Sequence, residues 1–301
     1  GGRAMSGTRN LEASVRQRLL NRAHEEKRPF QELLQFYAME RFLYRLSQSR
    51  HSECFVLKGA LMLRVWESPS YRPTMDIDML GITDNREAAI LQQIEEVLAQ
   101  KVDDGLLFNP VLLKAETITE DADYQGLRVR FPASLDGARI MMQLDIGFGD
   151  AVYPGPERQT YPVLLDFPAP ELLCYSRESA IAEKLQAMIV LGELNSRMKD
   201  FFDIWLLARQ FDFSAGPMRR AIVSTFSTRR TALPDCLPFT QHFIESKQKQ
   251  WEAFRRRIDQ EHVPSDFGEI VEALDKFLSP IITTEKPTET GYWSAPGPWR
   301  F

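Results

Sequence analysis

Two acidic residues that follow a glycine turn are the part of the sequence best suited to chemistry. Asp76-Ile77-Asp78 (the DxD motif) places two carboxylates at alternate positions, so in a β-strand both point to one face of the sheet. Adjacent carboxylates repel each other, and a divalent cation is the usual partner that offsets this repulsion. The upstream turn at Gly59 can bring backbone N–H groups close to phosphate oxygens. The pattern predicts chemistry on a nucleoside triphosphate (NTP) that depends on Mg²⁺ or Mn²⁺.

The strand that carries the DxD motif has a second, apolar face. Met75, Ile77 and Met79 alternate with the two acids, so we expect them to point into the core. A third carboxylate, Asp145, lies in a later strand predicted over Arg139–Ile146. The simpler alternatives are a solvated strand face for the DxD motif and a capping or bridging role for Asp145.

The order of these features resembles the polymerase-β-like nucleotidyltransferase superfamily, in which a glycine turn, a helix and a DxD strand precede a strand with another carboxylate. In such sites two metal ions share the acidic cluster. One holds the triphosphate, the other lowers the pKa of the attacking hydroxyl, and both offset charge in an in-line displacement. The likeness implies metal-binding roles for Asp76, Asp78 and Asp145.

A second charged cluster lies on two predicted helices further along the chain. Lys184 falls in a helix predicted over Ser179–Leu191, and its ammonium is a suitable point-charge ligand for phosphate. Asp200 and Asp203 lie at positions i and i+3 of the next predicted helix, so they face the same way. The alternative is a helix hairpin held by a structural Lys–Asp ion pair, which is common at such spacing.

Four strings taken together resemble the AbiEii/AbiGii toxin family. They are Lys58-Gly59-Ala60-Leu61-Met62-Leu63-Arg64, Tyr71-Arg72-Pro73-Thr74-Met75-Asp76-Ile77-Asp78, Ala182-Glu183-Lys184-Leu185 and Arg197-Met198-Lys199-Asp200-Phe201-Phe202-Asp203. The family contains nucleotidyltransferase-like toxins of type IV toxin–antitoxin and abortive-infection systems, related to the mycobacterial MenT toxins. The resemblance runs from about Phe55 to Leu207, and four ordered motifs are far more specific than any one of them.

The resemblance implies roles for the residues of the first two strings. Gly59 and Ala60 fall on the family's turn that contacts the triphosphate, and Lys58 stands beside them as a nucleotide-binding candidate. Asp76 and Asp78 fall on the metal-binding DxD motif of the family. Ala60 lacks the hydroxyl of the more usual Ser or Thr, so one phosphate contact must come from the backbone alone.

The later strings supply the remaining implied roles. Lys184 falls on an essential lysine expected to bind phosphate, and Asp200 is a candidate catalytic base or positioning group for the acceptor hydroxyl. Asp145 and Asp200 compete for the third acidic role, and the resemblance favours Asp200. Arg64 and Arg72 could reach phosphates or brace the DxD motif, and we favour a nucleotide-binding role for Arg72.

These roles predict an enzyme that transfers a nucleoside monophosphate from an NTP to an acceptor hydroxyl and releases pyrophosphate. The resemblance makes the 3′ end of tRNA the first acceptor to consider, because blocked aminoacylation would stop translation and growth. It also implies a cognate antitoxin, although such antitoxins often need not bind the toxin. The alternatives are a nucleotidyltransferase that modifies a protein or a small molecule such as an aminoglycoside, and a nucleotide-binding interaction protein without turnover.

The composition excludes several other classes. The chain has 301 residues, 44% hydrophobic and 26% charged, which is ordinary for a globular protein. Its net charge of −5 excludes a wholly basic nucleic-acid coat, and arginine pairs such as Arg229-Arg230 are interpreted as solvated helix surface available to RNA. No apolar run could span a bilayer, no signal peptide is evident, and three scattered cysteines indicate free thiols. We therefore expect a cytoplasmic protein without a membrane partner.

Hydrophobic periodicity predicts an α/β protein in three parts. Residues 8–50 form an N-terminal helical segment, residues 51–170 a nucleotidyltransferase core, and residues 171–301 a helical C-terminal domain that completes the active site across a cleft. Within the core, Asp136-Gly137 is a hairpin signal between two strands. The fold class expected is a polymerase-β-like core, a small mixed sheet with helices, with a tail from Pro280 that is loop.

Overall fold

The structure is a computed structural model that describes residues 3–69, 72–120, 124–283 and 289–301. The chain divides into two compact units: residues 1–149 with 157–174, and residues 150–156 with 175–301. The predicted division into three functional domains stays a prediction.

The first unit is a mixed sheet with helices. Its helices are α1 (Arg3–Glu26), α2 (Phe30–Gln48), α3 (Met62–Val65) and α4 (Glu87–Leu98). Its strands are β1 (Phe55–Lys58), β2 (Asp76–Gly81), β3 (Leu107–Phe108), β4 (Lys114–Glu120), β5 (Tyr124–Leu135), β6 (Ala138–Phe148), β7 (Glu157–Thr160) and β8 (Glu171–Cys174). Over the described ranges these strands form one sheet in the order β3–β5–β6–β2–β1–β8–β7, with β4 also paired to β5. The predicted mixed α/β class is confirmed.

Strand β2 lies in the middle of this sheet and carries the DxD motif. It pairs antiparallel with β1 and parallel with β6. Strands β5 and β6 form the predicted hairpin, whose turn residues Asp136 and Gly137 have φ angles of 45° and 78°. Because a two-residue turn of this kind needs positive φ at both positions and fixes the strand register, the local sequence determines which β5 and β6 residues face each other.

Alternation along the strands separates a core face from a polar face. Ile77, Met79, Leu144 and Ile146 are all buried, as period-2 patterning requires. The prediction for Met75 was wrong, because 63% of this residue is exposed. Met75 precedes the first residue of β2, so strand alternation does not extend to it.

Helix α2 is buried along most of its length and ties the first unit together through polar groups. The buried side chain of Gln35 donates hydrogen bonds to the carbonyls of Met75 and Met141, each at 3.2 Å. These bonds link the chain just before β2 to β6. Arg45 makes two hydrogen bonds to Asp104, at 2.7 and 3.0 Å, with both side chains buried. Arg45 and Asp104 therefore neutralise each other, which is needed because an unpaired charge is costly to bury.

The second unit is mostly helical. Its helices are α5 (Arg177–Leu191), α6 (Met198–Gln210), α7 (Ala215–Thr228), α8 (Gln241–Ile258) and α9 (Phe267–Ile282). Three short strands, β9 (Phe213–Ser214), β10 (Tyr292–Trp293) and β11 (Trp299–Arg300), pair in the order β11–β10–β9. Aromatic rings fill the space between helices, with the centroid of Phe201 5.1 Å from that of Phe267 and the centroid of Trp251 5.6 Å from the same ring. Hydrophobic periodicity predicts five helices for this part of the sequence, and all five are present. The predicted ranges are Ser179–Leu191, Met198–Phe211, and those near Pro217–Phe226, Phe239–Ile258 and Phe267–Leu278.

Two sequence-based assignments in this half of the chain were wrong. The segment Glu171–Cys174, predicted as helical, is strand β8, which pairs parallel with β1 through Leu57 and Cys174. The tail, predicted as loop from Pro280, continues α9 to Ile282 and later forms β10 and β11. Throughout the described part of the chain, no helix combines the length and apolar character needed to cross a membrane.

Candidate active site

The turn after β1 is packed against one of the two DxD carboxylates. Gly59 has a φ of +73° and starts a short 3-10 turn that leads into α3. A Cβ atom added to Gly59 would lie 2.2 Å from Oδ2 of Asp78 and 2.8 Å from its Cβ and Cγ. The pairing of Lys58 with Asp78 across β1 and β2 explains this closeness. Both the backbone angle and the space therefore require glycine here.

The three predicted acids of the first unit lie on one face of the sheet. Asp76 and Asp78 are half-buried and alternate with buried residues along β2. Parallel pairing places Asp145 of β6 beside Asp78 and places Gln143 beside Asp76. The sequence prediction that two alternate acids share a face agrees with this register, which also brings the third acid next to them.

Asp145 is held by an arginine that the sequence analysis did not single out. Nε and Nη2 of Arg128 each donate a 2.8 Å hydrogen bond to a different oxygen of Asp145. Asp145 is 8% exposed. The pKa of the Arg128 guanidinium is raised, first by these hydrogen bonds and then by the negative charges of Asp145, Asp76 and Glu116. Arg128 is therefore a fixed positive charge on the same face as the acids.

The donor set on this face fits a divalent cation held by two protein carboxylates. Mg²⁺ is usually bound through one or two carboxylates together with substrate phosphates and water. Asp76 and Asp78 supply such a pair from one strand, and the glycine beside Asp78 leaves its carboxylate uncrowded by a side chain at position 59. Within the described ranges, no group of three or more His, Cys, Asp or Glu side chains is arranged to hold a metal ion.

The other predicted nucleotide-binding residues of the first unit lie around the same strands. Lys58 is partly exposed at the end of β1, and Ala60 is buried within the turn. Arg72 is partly exposed and precedes β2. The guanidinium of Arg64 stacks on the ring of Phe36, 5.0 Å from its centroid, so this arginine contributes to packing of α2.

The second unit holds the other predicted cluster. Nζ of Lys184, on α5, lies 3.3 Å from Oδ1 of Asp200 and 3.0 Å from Oδ2 of Asp203, both on α6. Nε of Arg197 lies 2.8 Å from the second oxygen of Asp200. The two carboxylate side chains are almost fully buried, whereas 17% of the Lys184 side chain is exposed. The predicted i, i+3 arrangement is thus present, with one lysine bridging both acids.

Local sequence explains how this cluster is positioned. Ser176 caps α5, its hydroxyl accepting a hydrogen bond from the N–H of Ser179 at 3.1 Å. The buried Asn195 accepts a 2.8 Å bond from the N–H of Arg197 just before α6 begins. Asp200 lies in the first turn of α6, where the helix dipole favours a negative charge.

A buried polar network beside this cluster was missed from the sequence. Arg229, interpreted as solvated surface, has a side chain only 5% exposed and makes hydrogen bonds of 2.9 and 3.0 Å to Asp150. It also donates a 2.8 Å hydrogen bond to Gln186 on α5 and lies 3.8 Å from Glu183. Tyr175 donates to Glu183 at 2.7 Å. A pair of arginines at a helix end gives no sign of burial, so only the acid partner at position 150 could have indicated it.

Comparisons with known proteins bear on this arrangement. A model of the family described as "Nucleotidyl transferase AbiEii toxin, Type IV TA system" matches residues 41–273. Two crystal structures from Helicobacter pylori, of a protein provisionally described as a nucleotidyltransferase and of JHP933, each share 14% identity with this chain at a TM-score of 0.49. Both matches cover 84% of this chain. They cover 96% of the first protein's own chain and 93% of the JHP933 chain. No curated protein matches. The family match confirms the resemblance seen in the motifs: the chain belongs to the AbiEii nucleotidyltransferase toxin family of type IV toxin–antitoxin systems.

Proposed function

We propose that the chain transfers a nucleoside monophosphate from an NTP to an acceptor hydroxyl, with the 3′ end of tRNA as the acceptor and Mg²⁺ as the metal. The acceptor oxygen forms a new bond to the α-phosphorus as the bond between that phosphorus and the bridging oxygen breaks. Pyrophosphate leaves, and the hydroxyl proton passes to solvent or to a protein base. Membership of the family supports the reaction class.

The observation that carries the proposal is the approach of the Gly59 turn to Asp78. An added Cβ at Gly59 would sit 2.2 Å from the Asp78 carboxylate, so backbone that can contact phosphate adjoins a carboxylate that can hold a cation. Phosphates and their metal ion need this combination of backbone donors and oxygen ligands. A side chain at position 59 would displace the Asp78 carboxylate, so the glycine keeps the turn and the carboxylate in close contact.

In the first unit, Asp76 and Asp78 are the residues proposed to hold the metal. When bound, the metal supplies positive charge that offsets the charge developing on the transferring phosphate. Gly59 and Ala60 offer backbone donors, and Lys58 and Arg72 are the proposed side-chain contacts to the nucleotide.

In the second unit, Lys184 is the proposed phosphate-binding cation. Its Nζ is held in place by the carboxylates of Asp200, at 3.3 Å, and Asp203, at 3.0 Å. The Asp200 side chain is enclosed by Lys184 and Arg197 and is 1% exposed, which supports a positioning role. A general base must come within hydrogen-bond reach of its proton. Asp200 could act as the general base only if the acceptor hydroxyl displaced Lys184 or Arg197 from its carboxylate.

Transfer of a nucleotide to the 3′ end of tRNA would block aminoacylation and inhibit growth. We propose a cytoplasmic site of action, where tRNA and NTPs are available. The type IV family implies an antitoxin partner. We propose that this antitoxin need not bind the chain directly.

Incubation of the purified chain with total bacterial tRNA, MgCl₂ and each α-³²P-labelled NTP tests the proposal. The inactive comparison is Asp78→Asn, which removes the charge without changing side-chain size. The matched control is Asp103→Asn, which alters an exposed carboxylate of the same unit. Labelled tRNA should form with the wild type and with Asp103→Asn, and not with Asp78→Asn.

The same labelling experiment separates the alternative acceptors. Label in protein instead of RNA would assign a protein acceptor, and label in an added aminoglycoside a small-molecule acceptor. Absence of label with every NTP and every acceptor, in a chain shown to be folded by circular dichroism, would refute the transfer reaction and favour a binding role without turnover.

A further inference from the structure

The guanidinium of Arg128 uses only one of its edges to bind Asp145. A guanidinium carries five N–H donors in a rigid plane. Nε and Nη2 each donate one hydrogen bond of 2.8 Å to Asp145. Both hydrogens of Nη1 and the second hydrogen of Nη2 have no acceptor among the described residues. The edge formed by Nη1 and Nη2 can therefore bind a second anion with two parallel hydrogen bonds.

This second edge is held in a fixed orientation and reaches solvent. The two bonds to Asp145 fix the plane of the guanidinium, so little further freedom is lost when it binds another group. The Arg128 side chain is 29% exposed, and its Nη1 is not among the buried polar atoms that lack a partner in the described part of the chain. A planar fork of this kind matches the geometry of a phosphate group.

Sheet pairing places Arg128 in a row of four charged residues. Across β5, β6, β2 and β1, the residues paired in turn are Arg128, Asp145, Asp78 and Lys58. Directly paired residues share one face of a sheet. Neighbouring strands lie about 4.8 Å apart, so the Cα atom of Arg128 is about 10 Å from that of Asp78. The row therefore has a cation at each end and the two acids between them.

The two ends of this row suit different parts of the proposed reaction. At the β1 end, Lys58 is followed by the Gly59 turn, the proposed contact for the triphosphate. In an in-line displacement, the attacking oxygen and the leaving pyrophosphate lie on opposite sides of the transferred phosphorus. With the triphosphate at the β1 end and the metal at Asp78, the acceptor hydroxyl approaches from the β5–β6 side. Arg128 lies on that side.

We propose that Arg128 binds the acceptor RNA through the phosphodiester next to its 3′-hydroxyl, the one that joins the last two nucleotides. This contact rests on the proposed transfer to an RNA 3′ end. It makes Arg128 a specificity-determining residue, because neither a protein hydroxyl nor an aminoglycoside carries a phosphodiester at that position.

Pairing a protein substitution with an RNA modification tests this contact. The probe is a 5′-fluorescein-labelled RNA that contains a tRNA acceptor stem with its single-stranded 3′ end. In a second RNA, an uncharged methylphosphonate replaces the last phosphodiester. Fluorescence anisotropy gives the dissociation constants of both RNAs for the full chain and its variants. NTP is left out, so that the triphosphate does not contribute.

The methylphosphonate should weaken binding to the wild type by about tenfold, the order expected for one hydrogen-bonded charged contact. Arg128→Gln should weaken binding of the unmodified RNA to a similar extent, with no further loss for the modified RNA. The control is Arg139→Gln, which changes an exposed arginine of the same hairpin about 20 Å along β6 from Asp145. It removes the same charge and should keep the full response to the modification.

Equal losses for the modified RNA with the wild type and with Arg128→Gln would overturn the contact, because independent effects add. Equal affinity of the wild type for both RNAs would overturn it too, and this measurement needs no variant. If Arg128→Gln shows no such coupling and instead raises KM for the NTP, the arginine binds the triphosphate and the contact with RNA is refuted. The tRNA labelling described above tests the proposed function separately. Labelled tRNA without coupling refutes only this contact, whereas the absence of label in any RNA refutes both.

Discussion

Replacing Gly59 by alanine should uncouple folding from catalysis. The substitution has two costs that can be separated. A non-glycine residue at a φ of +73° costs about 1–2 kcal/mol in conformational strain. The new methyl group would lie 2.2 Å from Oδ2 of Asp78, where ordinary contact begins at 3.4 Å, so the carboxylate must move by about 1.2 Å. A misplacement of about 1 Å can cost roughly 100-fold in rate, equivalent to about 2.7 kcal/mol in the barrier.

Gly137 supplies the matched control. It lies in the same unit at a φ of +78°, and a Cβ there would meet no atom within 4 Å. Gly137→Ala should therefore lose the same 1–2 kcal/mol or so of stability and retain its activity. Urea unfolding gives the stability of both variants, and pyrophosphate release with tRNA and NTP gives the rate. A rate for Gly59→Ala within about threefold of that for Gly137→Ala would refute the coupling between the turn and the Asp78 carboxylate.

Three further predictions concern buried and exposed charges. Lys184→Met should abolish transfer and lower the unfolding free energy by about 3 kcal/mol, because two buried carboxylates lose the cation that they share. Lys249 is exposed, so Lys249→Met should change neither the transfer rate nor the unfolding free energy in the same assays. Arg229→Met should lower the unfolding free energy by about 3–5 kcal/mol, measured by urea unfolding, because it leaves a buried acid without its partner. The control is Arg230→Met, which changes an exposed residue. If Arg229→Met lowers the unfolding free energy no more than Arg230→Met does, the buried network is contradicted. Hydrogen bonds from a neighbouring arginine and then a histidine lower the pKa of Glu96 to about 2. Since the pKa of Glu96 is lower in the folded state, its stabilising effect is present above pH 4.5 and is lost as the pH falls towards 2. The difference in unfolding free energy between the wild type and Glu96→Gln should therefore shrink over that pH range. A difference that stays constant would contradict the lowered pKa.

Local signals in the sequence predicted most of the helices and the hairpin. Glycine, proline and 3.6-residue periodicity act over a few neighbouring residues, and they located all five helices of the second unit. Strand β8 was missed because its four residues carry no period of their own and it pairs with β1, which lies far away in sequence. Arg229 was misassigned for the same reason, since its acid partner Asp150 lies in another part of the chain.

The pairing of Arg128 with Asp145 lies between these two cases, and it shows which part of a site a sequence can specify. Asp136-Gly137 is a two-residue turn, so Leu135 must face Ala138, and each step back along β5 matches a step forward along β6. Counting outwards from the turn places the arginine opposite the acid, so this contact was available from the sequence alone. The parallel register of β2 against β6 has no such local origin, because a long connection separates the two strands. The sequence could therefore give Asp145 its guanidinium partner, but only the folded sheet could bring that pair beside the DxD motif.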